Sequence, residues 1–123
     1  MPLMTLEEAQ GFLRAAVDTQ GDSFVYNPSY SSMVCEYTPR TDAPIGDPRR
    51  RTGCLIGTAL KLAGRSEETL KVHGFVTDLE KHFELNEVAA SYFDVAQQEQ
   101  DAGSTWGDAY RAAERWRSAQ QLP

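Results

Sequence analysis

The sequence predicts an α+β fold that is mostly helical. A central buried helix is packed by an N-terminal helix, a two-stranded antiparallel β-hairpin and a C-terminal helical hairpin. Three observations lead there. Residues 52–64, Thr-Gly-Cys-Leu-Ile-Gly-Thr-Ala-Leu-Lys-Leu-Ala-Gly, form the most apolar stretch, with Lys61 as its only charge. Their apolar side chains fall all round a helical wheel, the pattern of a helix buried on most sides. Residues 23–37 hold two short runs of strand-favouring residues separated by turn chemistry. Residues 86–116 hold two helical periods joined at Gly103 and Ser104.

At 123 residues the chain is expected to be one globular domain over 1–123, able to bury a core without staples. A hydrophobic fraction of 41% and a charged fraction of 24% are ordinary for such a domain. The formal charge of −6 argues against a sequence-independent nucleic-acid binder, which needs a basic face to displace counterions. The acids concentrate between Glu67 and Asp108, where ten face only Lys71 and Lys81, so the rest of the chain is slightly basic. No apolar run is long enough to span a membrane, and the opening residues lack the basic flank and apolar core of a secretory signal. A cytoplasmic location is expected, with Cys35 and Cys54 as reduced thiols.

Thr5-Leu6-Glu7-Glu8 has the form of a capping box. Leu6, Ala9, Leu13, Ala16 and Val17 follow at helical spacing, and Gly21 is the expected stop. Ser23–Asn27 and Ser32–Tyr37 are the two predicted strands, the second with Met33, Cys35 and Tyr37 on one face. Thr52 is expected to cap the central helix and Gly64 to end it, while Gly57 leaves room for another backbone or ring to come close. Ser66 should open a short helix, and Thr77-Asp78-Leu79-Glu80 a further one with Leu79 and Phe83 inward. Asn86 should cap a helix running towards Asp101, with Val88, Ala89, Tyr92, Phe93 and Ala96 buried. Ser104 should start the last helix, which carries Trp106, Ala109, Tyr110, Ala113 and Trp116.

Between them, residues 38–53 form a long basic loop with three prolines and Arg40, Arg49, Arg50 and Arg51. It reads either as a mobile or passive surface segment, or as a clamp in which successive arginines recognise phosphate or carboxylate.

Three clusters together resemble a family of small uncharacterised proteins encoded by actinobacterial phages, including mycobacteriophages. They are Cys35-Glu36-Tyr37, then Cys54-Leu55-Ile56-Gly57-Thr58-Ala59-Leu60 with Gly64, then residues 96–109 from Ala96 through Gly103-Ser104-Thr105-Trp106. The 38–53 loop is longer than the short turn of that family. The resemblance brings no established activity. It implies an accessory factor that binds a host protein, working in the host cytoplasm.

Cys54 is the sharpest chemical candidate, because a helix N-terminus flanked by arginines favours thiolate. A thiol enzyme also needs a positioned histidine, and only His73 and His82 are present, both in segments read as helical. The alternative for Cys54 is a small buried apolar side chain. A Cys35/Cys54/His73/His82 zinc site has suitable ligand types without the close Cys pairing of a zinc signature, and a Cys35–Cys54 disulfide would need an oxidising compartment. Gln100–Trp106 reads as a ligand-binding corner or, more simply, as the stop and start of two helices. Arg111, Arg115 and Arg117 lack a trustworthy helix-turn-helix around them.

The resulting functional expectation is a non-catalytic, phage-type accessory protein that binds a host macromolecule, with Tyr26, Tyr30 and Trp116 as exposed aromatics for an interface. A homo-oligomer fits the same reading. The alternative is a protein that binds or sequesters a small anion such as a nucleotide or phosphate through Arg40, Arg49, Arg50 and Arg51. A third reading is a thiol enzyme using Cys54. No cofactor or metal is called for.

Overall fold

Thr5 closes the expected capping box: its Oγ1 accepts the Glu8 N–H at 3.2 Å and Glu8 Oε1 accepts the Thr5 N–H at 2.9 Å. In the computed structural model, which describes residues 2–26 and 36–120, this opens α1, Leu6–Gln20. Ala9, Leu13, Ala16 and Val17 form its buried stripe, and Gly21 ends it at φ +95°. The other helices are α2 (Leu55–Leu62), α3 (Glu67–Leu70), α4 (Glu87–Asp101) and α5 (Trp106–Ala119), with one 3-10 turn at Pro48–Arg50. More than half of the described residues are helical.

α2 starts two residues later than expected, because Thr52 is not its cap. The Thr52 hydroxyl is used on the Gly53 carbonyl at 3.0 Å and on Thr58 Oγ1 at 3.2 Å. Cys54 caps instead, its Sγ accepting the Gly57 N–H at 3.4 Å. Gly64, at φ +93°, ends the helix as expected, with the Arg65 N–H reaching back to the Leu60 carbonyl at 3.0 Å. Leu55, Ile56, Gly57, Ala59 and Leu60 are buried between α1 and α4, but Lys61 and Leu62 face outward. The helix is therefore central yet open along one side.

The β-hairpin is a correction. Among the described residues there is no strand: Ser23–Tyr26 and Glu36–Tyr37 are irregular, and the single β-bridge joins Met4 to Leu85 in parallel. The rest of the expected hairpin, residues 27–35, lies outside the described residues. The fold is helical and not α+β. Its physical reason is where the backbone hydrogen bonds go. A helix N-terminus leaves amides without intrahelical partners. Asp22 and Phe24 offer their carbonyls to α5, accepting the Gly107 and Trp106 N–H groups at 2.9 and 2.8 Å, and the Glu36 carbonyl accepts the Cys54 N–H at 2.8 Å. Phe24 and Tyr26 are buried, as a period of two would have them, without a ladder.

Residues 76–84 form consecutive turns in place of the helix expected from Thr77. Gln97 Oε1 holds the Val76 N–H at 3.1 Å, and Arg65 takes the Phe83 and Glu84 carbonyls at 2.9 and 3.1 Å. Glu84 then turns at φ +57° into the bridge with Met4. Phe83 is fully buried all the same.

α4 and α5 form the expected antiparallel pair, the most extensive contact between elements. Asn86 Oδ1 accepts the Ala89 N–H at 2.7 Å, and Gly103 turns the corner at φ +98°. The cap of α5 is Thr105, whose Oγ1 accepts the Asp108 N–H at 3.1 Å, one residue beyond the expected Ser104. Val88, expected inward, is exposed. No helix among the described residues is long and apolar enough to cross a membrane.

Candidate functional site

Cys54 is fully buried at the start of α2 and is disulfide-bonded, which corrects the expectation of a reduced thiol. That expectation rested on the compartment alone. A sulfur held in a disulfide offers no thiolate for attack. Cys35, the chain's other cysteine, lies outside the described residues, and with it one member of the four-residue zinc set. His73 is exposed, and His82 Nε2 lies 2.8 Å from the Thr69 carbonyl. Among the described residues no group of three His, Cys, Asp or Glu is placed to hold a metal.

The four loop arginines do not converge on one point. Arg49 grips Asp47 with two parallel bonds, Nε to Oδ1 at 3.1 Å and Nη2 to Oδ2 at 2.7 Å. Asp47 also caps the 3-10 turn by accepting the Arg49 N–H at 2.9 Å. These bonds push the Asp47 carboxyl down to about 2 and raise Arg49 above its ordinary value. Arg40 reaches Asp42 Oδ1 at 3.1 Å and Glu36 Oε1 at 3.5 Å, and its amide bonds the Arg49 carbonyl at 2.7 Å. Arg50 Nη1 donates to the Ala43 carbonyl at 2.9 Å. Three of the four thus tie the loop to itself. Arg51 lies over the Phe24 ring at 5.1 Å and has no carboxylate partner among the described residues.

Arg51 also borders a groove of about 440 Å³ between the C-terminal end of α1 and the outer face of α2. Thr19 and Gln20 come from α1, and Gly57, Thr58, Lys61 and Leu62 from α2. Residues 37–39 and 51–53 close the third side. That side is held very near the helix. A Cβ at Gly53 or Gly57 would overlap the Tyr37 carbonyl, so glycine is required at both positions. Tyr37 is fixed from beyond, its OH donating to the Gly74 carbonyl at 2.7 Å and accepting from Gln97 Nε2 at 2.9 Å. Burial, against the Gln97 bond, pushes that phenol up to about 12.

The charge lining the groove is unbalanced. Arg51, Lys61 and Arg65 line it against one carboxylate, Glu67, which lies 3.7 Å from Lys71. Arg65 is committed to the two carbonyls at 83 and 84. Lys61 is exposed and, among the described residues, makes no ion pair. Of the candidates read from sequence, only Arg51 belongs to this groove. Lys61, Arg65 and the threonines were missed, although a single lysine in an otherwise apolar helix was a legible signal that one side of it faces water.

The corner at Gln100–Trp106 is structural. Gln100 is fully buried, and its Oε1 accepts the Leu55 N–H at 2.7 Å and the Trp106 Nε1–H at 3.2 Å. Its Nε2 donates to Asp101 Oδ1 at 2.9 Å. Burial lifts the Asp101 carboxyl to about 6 against that bond. On α5, Arg111 pairs with Asp108 at 2.7 Å and Arg117 with Glu114 at 3.1 Å. Tyr26, expected at an exposed interface, is buried, Trp116 is half-buried, and Tyr30 lies outside the described residues.

Comparison with known proteins finds no family model, no curated protein and no solved structure that matches this chain.

Proposed function

We propose that the protein works by binding and not by catalysis, and that its ligand is an anion seated in the groove between α1 and α2. One observation carries this reading: Arg51 and Lys61 border the groove without carboxylate partners among the described residues. Cations of one sign along a concave, partly apolar wall concentrate counter-charge there. The groove volume also falls within the range of small-molecule sites. The thiol-enzyme reading is set aside because the Cys54 sulfur is buried and already bonded. No described surface feature favours the broader reading, a phage-type accessory protein for a host macromolecule, over the groove.

Thermal denaturation in the presence of citrate, inorganic phosphate and adenosine monophosphate tests the proposal. Binding to the native state alone raises Tm with ligand concentration. The expected result is a saturable rise with at least one of these anions, absent in an Arg51→Gln/Lys61→Gln double variant. A rise that persists unchanged in that variant, or no rise with any anion, contradicts it.

A further inference from the structure

The geometry points to a phosphomonoester with an organic body, of the size of a nucleoside monophosphate, as the anion this groove takes. The inference rests on the reading of the groove as an anion site and adds the chemistry of the ligand. With Arg65 held by two backbone carbonyls and Glu67 beside Lys71, Arg51 and Lys61 are the two lining cations left without a carboxylate partner among the described residues. Two such charges match a dianion. A phosphomonoester carries close to two negative charges at neutral pH, whereas a single carboxylate carries one.

A phosphate also presents three acceptor oxygens, which take further donors beside the two cations. Thr38, next to Tyr37, supplies a hydroxyl from the wall, whereas the Thr58 hydroxyl is engaged with Thr52 Oγ1 and the Gly53 carbonyl. Part of the remaining lining is apolar. Leu62 is 46% exposed although it sits on the central helix, and Pro39 and Leu70 border the same space. A volume of about 440 Å³ is far more than a phosphate ion needs, so the ligand has an organic body to lie along these side chains.

Isothermal titration with AMP, GMP, CMP, UMP and phenyl phosphate, beside adenosine, inorganic phosphate and citrate, tests this. At least one of the five phosphomonoesters should bind tenfold or more tightly than inorganic phosphate and citrate, and adenosine should give no heat. Lys61→Gln should weaken that binding at least tenfold, and Leu62→Ser should narrow the gap to inorganic phosphate. Lys61 is solvent-facing, so Lys61→Gln and the stronger Lys61→Glu should keep the native circular dichroism. Silence from all five phosphomonoesters, or equal affinity in the Lys61 variants, overturns the inference. Citrate binding that depends on Lys61, with the phosphomonoesters silent, would sink the ligand class but leave the anion groove standing. Silence from every probe would sink both.

Discussion

The side-chain carbonyl of Gln100 accepts the backbone N–H of Leu55 at 2.7 Å, joining the last turn of α4 to the first turn of α2. The same oxygen takes the Trp106 indole N–H at 3.2 Å. One buried amide thus satisfies an orphan donor of the central helix and the polar edge of the largest fully buried side chain.

Replacing Gln100 by leucine keeps similar bulk and removes the acceptor from both donors. Each buried donor left unsatisfied costs roughly 1–3 kcal/mol, so the variant should lose about 2–6 kcal/mol. Urea denaturation reads this as a lower midpoint at unchanged slope. A loss below about 0.5 kcal/mol, the level of an ordinary surface substitution, would show that the bonds are not made.

Gly57→Ala and Gly11→Ala should change stability in opposite directions. In a helix interior alanine is normally favoured over glycine by about 1 kcal/mol. At Gly11 on α1 nothing lies within 4 Å of the added Cβ, so that gain should appear. At Gly57 the Cβ would run into the Tyr37 backbone, and overpacking of this kind costs about 1–3 kcal/mol or more. Thermal melts of the two variants should therefore move apart, Gly11→Ala upward and Gly57→Ala downward. A stabilised Gly57→Ala would mean that Tyr37 does not lie where the groove requires it.

The close approach at Gly57 was legible in the sequence, because a glycine inside so apolar a helix has few other uses. The helix starts at Thr5, Ser66 and Asn86 and the stops at Gly21, Gly64 and Gly103 were legible for a similar reason, since caps are local chemistry. The missing hairpin was not. Phe24 and Tyr26 alternate as a strand would, but the backbone beside them bonds α5, more than eighty residues further on, and no local pattern announces such a partner. The site was half legible. Arg51 stood out in a run of three arginines, yet nothing in that run shows that Arg49 closes on Asp47 while Arg51 faces the groove.

Glu114 on α5 collects Tyr92 from α4, Gln10 from α1 and Arg117 from its own helix. Burial raises this carboxyl, but the three hydrogen bonds outweigh it and leave the pKa below the ordinary glutamate value of 4.5. A folded-state pKa below the unfolded one contributes stability that is present above the unfolded value and is lost as the pH falls through the folded one. Glu114→Gln should thus cost about 1.5–3 kcal/mol at pH 7, the range for hydrogen bonds to a charged group. It should also flatten the fall in stability below pH 4.5. Urea midpoints from pH 3 to 7 give the comparison. Parallel curves for the two proteins would rule out a coupled Glu114.

The most direct measurement of the central claim is a ¹H–¹⁵N NMR titration of the full chain with adenosine monophosphate and phenyl phosphate. The account predicts saturable amide shifts at Arg51–Gly53, Gly57–Leu62 and Thr19, little change over residues 40–50, and their disappearance in Lys61→Gln. Shifts centred on the Arg40–Arg50 loop, or spectra that do not move at millimolar ligand, would contradict it.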